Sequence, residues 1–275
     1  MRGEWSAESC IRIKEIDTTM QAKEIGAFVE SLSPGLGQEE GFRFGEPDTE
    51  VTGVLVCWMA TVDAIRTAAE GGCNMVLCHE ELTFPYEFRD ASAIRYLWWR
   101  PNARRLSLLG EHGMAVYRAH GMLDRYCVLD DFGRFLGLPE PVVKEGYIRI
   151  YEVEPVTVRE LAEQVKRHTG LPCVRVTGDL EQVVRRIGAP WGGLGLSLNT
   201  SFMQSLLAHD PDAFIAGETD DYGMRFAIDA GVPMIETSHA TSENPGLEHF
   251  ARDLKQQFPG LRVLFYANPV PWTTV

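Results

Sequence analysis

The stretch PMIETSHATSE, residues 233–243, decides how this chain is read. Residues 233–238 form a short, mostly apolar run of the kind that makes a buried strand. His239 follows at once. Thr241 and Ser242 are N-cap residue types, and Leu247, Phe250, Ala251, Leu254 and Phe258 recur behind them at helical spacing. Glu243 is therefore expected in the first helical turn, four residues after His239. A strand end, an imidazole, a turn and a carboxylate that converge on one point make half of a metal site.

Working outward, the same unit repeats. Residues 51–59, 75–78 and 114–119 read as strands. His79-Glu80-Glu81 lies directly behind the second of them, and His120 and Asp124 lie behind the third. Thr61 caps an intervening helix that Gly71-Gly72 stops. Further helices are expected over 91–99, from an N1 proline at Pro101 to Gly113, and from Asp124 to Gly137. Near the start, Thr18-x-x-Gln21 is a capping-box pattern ahead of Ile25, Phe28, Val29 and Leu32, and residues 41–45 read as extended. Residues 139–144 read as a linker. Beyond it come strands at 147–154, 173–176, 186–189, 213–216 and 261–267, with helices from Thr157, from Asn199 and up to Gly231. Alternation of this kind predicts an α/β fold with mostly parallel mixed sheets. In such sheets ligands gather beyond the carboxyl ends of strands. Of the seven histidines, His79, His120 and His239 sit at such ends.

Composition narrows the class. The chain has 275 residues, 45% hydrophobic and 24% charged, enough for one large or two modest domains. A net charge of −13 argues against a nucleic-acid surface. The six cysteines show no CxxC spacing and read as thiols of a reducing cytoplasm. Residues 2–5 carry no apolar run and no stretch approaches ~18 apolar residues, so neither a signal peptide nor a membrane span is expected.

Imidazole and carboxylate together are the ligands of Zn, Fe and Mn, and carboxylates alone suit harder ions. The candidates are His79, Glu80, Asp124, His239 and Glu243, with His120 nearby. His120 reads as an aid to Asp124, as an acid/base, or as packing. Glu80 reads equally as a ligand or as a solvated loop acid. The loop at residues 192–195 has the glycines of a phosphate cradle but no lysine, and a plain tight turn is the stronger reading.

Taken together these motifs resemble the NGG-interacting-factor-three proteins, also called type-two GTP cyclohydrolase homologues. The likeness runs from about Met20 to Val275. It rests on LCHEELTF at 77–84, where the family has two histidines and a proline; on Ala119-His120-Gly121-Met122-Leu123-Asp124; on the glycine loop at 192–195; on Gly217-Glu218; and on Ser238-His239 through Glu243. The resemblance implies two α/β domains, 1–140 completed by about 233–275, and an insert at 141–232, with the site in the cleft between them. It implies two divalent ions (Mn, Fe, Zn or Mg) on His79, Asp124, His239 and Glu243, with Glu243 bridging. Glu80 stands where the family has its second histidine. The ligand sets expected from it are Glu80, Asp124 and Glu243 for one ion and His79, His239 and Glu243 for the other. The first is all oxygen and leans away from Zn. Thr219-Asp220-Asp221-Tyr222 replaces a histidine pair of the family, and Trp58-Met59-Ala60-Thr61 replaces an LDAT-like strand end.

The function implied is a metal-dependent hydrolase in which activated water attacks a phosphoester or nucleotide-like small molecule, with His120 or Glu218 moving the proton. The alternative is a metal-binding regulatory scaffold without turnover. Similar proteins form ring-like homohexamers, and a homo-oligomer is expected here.

Overall fold

The computed structural model describes residues 20–33, 39–86 and 91–275. Its first sheet contains the strands β1 (Gly41–Phe44), β2 (Val54–Cys57), β3 (Met75–Cys78) and β4 (Ala115–Arg118), closed by the last strand, β11 (Val263–Tyr266). The order is β1-β4-β3-β2-β11, parallel except for β1 at the edge. Strands β2, β3 and β4 are buried at every residue, as expected of a parallel sheet covered on both faces.

Alternate residues of these strands serve opposite cores. Val54, Val56, Met75 and Leu77 pack with helix α1 (Ala22–Leu32) and the long C-terminal helix (His239–Gln257). Leu55, Cys57, Val76 and Cys78 pack with α2 (Val62–Glu70) and α3 (Arg100–Glu111). The period of two along each strand thus fixes which helix meets which side chain. Thr61 caps α2 through a bond from the Ala64 N–H, and α3 carries its proline in the first turn. The capping box at the start of α1 is made by Gln21 and Glu24; Thr18 lies outside the described residues. A 3₁₀ helix, Ala91–Trp98, stands where an α-helix is expected from sequence.

The second sheet runs in the order β5 (Val143–Glu145), β6 (Ile148–Thr157), β8 (Val183–Gly188), β9 (Ala213–Ala216), β10 (Met234–Glu236), β7 (Arg175–Val176). Only β8-β9 and β9-β10 are parallel. The remainder is antiparallel, including the hairpin with β6 made by β5, which begins at the end of the expected linker. Helices α5 (Leu129–Phe135) and α6 (Val158–Thr169) cover one face, and α7 (Thr200–Leu207) and α8 (Asp221–Asp229) the other. Strand β10 lies in this sheet, so the chain returns to the first sheet only through the helix behind His239.

That helix, α9 (His239–Gln257), begins earlier than the cap-type residues Thr241 and Ser242 suggest. Its N-cap is Ser238, held at φ +94°, and the Ser242 N–H bonds the Ser238 carbonyl. His239 and Glu243 are consequently one turn apart on the same helical face. The described cysteines Cys57, Cys73, Cys78, Cys127 and Cys173 are all free thiols. No described helix is long and apolar enough to cross a membrane.

Candidate metal centre

The carboxyl ends of β3 and β4, the start of α9 and the turn after β9 meet at one place. His79 is the first residue beyond β3 and is fully buried. Its Nε2 lies 3.0 Å from Asp124 Oδ1 and its Nδ1 lies 3.2 Å from Glu243 Oε2. The second approach is not aligned for a hydrogen bond, which leaves Nδ1 a buried nitrogen without a hydrogen-bond partner. Buried polar atoms of that kind call for an explanation, and an ion shared with the facing carboxylate is one.

On the far side of Glu243, Oε1 lies 3.2 Å from His239 Nε2. Glu80 Oε1 lies 3.3 Å from the same nitrogen and 3.8 Å from His79 Nδ1. One buried carboxylate therefore stands between two imidazoles that are distant in sequence. Two groups present ligand atoms within 4.8 Å of one another: His79, His120 and Asp124, and His79, Glu80 and Glu243. The contacts between these side chains do not follow the expected sets. Asp124 faces His79 and His120, while Glu80 faces His239, because Asp124 and Glu80 project from different strand ends on either side of His79. Neither group is all oxygen, so the expected bias away from Zn loses that basis.

Further contacts hold these side chains in place. Glu218, on the turn after β9, sits 3.0 Å from His239 Nδ1, which turns Nε2 with its lone pair towards Glu80 and Glu243. Glu39 is 2.9 Å from His120 Nδ1. Glu40 accepts the N–H groups of His120 and Met122 and so caps the helix that begins at Gly121. Asp124 opens a π turn, Asp124–Val128, and also accepts the Tyr147 hydroxyl at 3.2 Å. Trp58 donates its indole N–H to Glu243 Oε2 at 2.8 Å and lays its ring 5.1 Å from that of His239. Arg118, buried under the loop after β3, binds the His79 carbonyl, Glu81 and the Tyr86 hydroxyl. Glu39, Trp58 and Tyr147 are partners that sequence reading misses, since each lies far along the chain from the group it holds.

The electrostatics follow from this crowding. Burial alone would lower the His79 and His239 pKa values, but the Glu243 charge and its neighbours outweigh burial and hold both well above the usual histidine range. Burial pushes Glu243 up, yet the His239 and His79 charges bring it down to about 2. Glu80 is likewise held well below its ordinary value, the imidazoles of His239 and His79 beside it overcoming burial. Without ions the centre is thus a carboxylate–imidazolium cluster, in which two protons occupy places suited to cations.

Gly192 approaches the same spot. A Cβ built there would lie 2.1 Å from Glu243 Oε1 and 3.2 Å from His239 Nε2. The loop is accordingly part of the centre, and its near face meets a carboxylate, where a phosphate would be repelled. Above it opens a cavity of about 620 Å³, floored by Glu80, Asp124, His239 and Glu243.

An α/β protein with a buried histidine–carboxylate centre between two sheets is the class that fold and site define. The chain belongs to the Duf34/NIF3 (NGG1p interacting factor 3) family, which it matches over residues 20–271. It is 24% identical over 254 residues to a GTP cyclohydrolase 1 type 2 homolog of Clostridium perfringens, covering 86% of this chain and 92% of that one. Protein ybgI, described as of unknown function, superposes with a TM-score of 0.77 at 21% identity, over 92% of this chain and 100% of that one. A Bacillus cereus protein related to NIF3 superposes at 0.75 with 15% identity, over 94% and 100%. These structures share the fold.

Removing the indole donor gives a direct check on the arrangement around Glu243. Trp58→Phe keeps an aromatic ring but leaves Oε2 without its donor. Metal affinity, measured by competition against a chromophoric chelator, should fall about tenfold. The melting temperature should change little, because Trp58 is only partly buried.

Proposed function

We propose that this chain is a metal-dependent hydrolase of small molecules that holds two divalent ions. The observation that carries the reading is Glu243, a buried carboxylate set between two imidazoles, beside the unpartnered Nδ1 of His79. His79, Glu80, Asp124, His239 and Glu243 would hold the ions, with Glu243 between the two imidazoles. When bound, two such ions supply positive charge to polarise a carbonyl or phosphoryl oxygen and lower the pKa of water. The chain's own residues supply the rest. Glu218 fixes the tautomer of His239, Glu39 orients His120, and the apolar cavity walls exclude bulk water from the reacting group. His120, partly exposed at the cavity floor, is placed to pass a proton to a leaving group.

In this reading the two sheets are two units with the site between them. The division falls nearer residue 238 than 233, because Met234–Glu236 pair in the second sheet. The ring opening of GTP suggested by the relatives' names is not adopted. A second reading, a metal-binding scaffold without turnover, draws on the replacement of a family histidine by Glu80 and of a histidine pair by residues 219–222.

Elemental analysis should find about two ions per chain. Protein loaded with Mn, Fe or Zn should hydrolyse at least one member of an ester and amide panel, and His239→Ala should abolish that turnover. Two bound ions with no turnover on any substrate would favour the scaffold. Glu80→His should shift preference towards Zn, measured as the ratio of Zn to Mn retained from an equimolar mixture, and by about tenfold.

A further inference from the structure

We propose that the cavity above the metal centre recognises a flat ring compound that is uncharged or cationic, and that it discriminates against phosphorylated ligands. The proposal rests on the hydrolase reading for the reacting group, but recognition of the ring needs only the walls. Three observations carry it.

The first is the composition of the walls. The cavity, about 620 Å³, has the size of a small-molecule site. Trp58, Tyr86 and Tyr147 give it aromatic surfaces, and Leu196 and Leu198 extend it towards the outside. Aromatic faces take flat rings, and their negative centres favour cations.

The second is charge. Glu80, Asp124, Glu218 and Glu243 line the cavity, and among the described residues no lysine or arginine does. Phosphate sites are built from guanidinium, ammonium or free backbone N–H groups. Arg118 comes near only behind Tyr86, and its nitrogens are already engaged by the His79 carbonyl, Glu81 and the Tyr86 hydroxyl. Two divalent ions would bring four positive charges against those four carboxylates. No surplus remains to attract a triphosphate.

The third is the glycine loop. The N–H groups of Gly192, Leu194 and Leu196 are already bonded to the Ser242 hydroxyl and the Trp191 and Gly193 carbonyls, and a Cβ on Gly192 would meet the Glu243 carboxylate at 2.1 Å. A phosphate there would face the Glu243 carboxylate.

Two ligand sets separate ring from charge. Nicotinamide, 1-methylnicotinamide (methylated on the ring nitrogen) and nicotinate share one ring at charges of zero, plus one and minus one. Guanosine, GTP and tripolyphosphate separate a ring from its phosphates. Binding is read by ligand-observed NMR, on both metal-free and Mn-loaded protein. In each set the neutral or cationic ring should bind at least tenfold tighter than its anionic counterpart, and tripolyphosphate should not displace it. Leu198→Lys places an ammonium on an exposed lip side chain. It should raise GTP affinity about fivefold relative to guanosine. Preference for the anionic member, displacement by tripolyphosphate, an unaltered GTP affinity relative to guanosine in Leu198→Lys, or no ring bound at about 1 mM would each overturn the proposal. If ions and turnover are absent but the metal-free protein still selects neutral rings, the hydrolase reading alone fails. If ions and turnover are present and anions win, only this proposal falls.

Discussion

Glu243→Gln should empty the metal centre. The substitution keeps the shape of the side chain and removes the charge between His79 and His239. Bound metal should drop from about two ions per chain to less than one by elemental analysis. The metal-free protein should respond with a pH signature of its own. In the wild type, His79 and His239 have pKa values raised above the ordinary 6.5. The stability they contribute is fully present below 6.5 and is lost as pH rises through the raised values. Glu243 and Glu80 are lowered from the ordinary 4.5, so their contribution is present above 4.5 and lost as pH falls through the lowered values. The wild-type apoprotein should therefore owe most to this cluster between about pH 4.5 and 6.5. Breaking a buried ion pair from one side costs about 3–5 kcal/mol. The imidazoles of the variant can shed their protons, so its deficit in urea unfolding should be largest near pH 5 and shrink as pH rises through the raised histidine values. A deficit independent of pH would show that Glu243 acts by packing and not by charge. The same protons must leave when ions enter, so metal affinity should rise with pH over 6–8.

Much of this centre is legible in the sequence because its parts are local. A four-residue apolar strand followed at once by His79, another followed by His120 and Asp124, and a strand–turn–helix carrying His239 and Glu243 are each short patterns with a physical reading. The convergence of the first two follows from the rule that parallel strands present their carboxyl ends on one side; the third comes from β10 of the second sheet, which that rule does not place. What could not be read depends on distance in three dimensions. Which carboxylate faces which imidazole is set by side-chain reach, and there the contacts differ from the expected sets: Asp124 lies against His79, and Glu80 nearest His239. Trp58 meets Glu243 across 185 positions, and Glu39 meets His120 across 81, so no local pattern announces them. The start of α9 was misplaced because Thr241 and Ser242 are good N-cap types. Ser238 holds the first turn instead, in a positive-φ conformation rare for serine, and the Ser242 hydroxyl goes to the His239 carbonyl and the Gly192 N–H. The π turn at Asp124 has no sequence signal, and the hairpin of β5 with β6 was hidden by prolines at 139 and 141 that suggest a linker.

Gly192→Ala should damage the centre as severely as loss of a ligand, although Gly192 offers no ligand atom beyond its backbone. Two costs combine. The residue sits at φ +54°, where an alanine is strained by about 1–2 kcal/mol. Its Cβ would also come within 2.1 Å of Glu243 Oε1, a distance at which one of the two must move. The loop cannot easily withdraw, because the Gly192 N–H is bonded to the Ser242 hydroxyl and its carbonyl accepts the Glu218 N–H at 2.7 Å. Glu218 in turn holds His239, so retreat of the loop would disturb a second group of the centre. The carboxylate is therefore displaced from between the imidazoles, and metal affinity should fall about 100-fold in a chelator competition, with a fall of a few degrees in melting temperature. Gly193→Ala is the control. Its Cβ would meet only His239 Cε1 at 3.1 Å and Leu196 Cδ1 at 3.4 Å, and its φ lies outside the positive range, so it should cost less than tenfold. Equal behaviour of the two variants would mean that Glu243 is free to swing aside, and that the close approach of this loop does nothing to fix the carboxylate on which both ion sites depend.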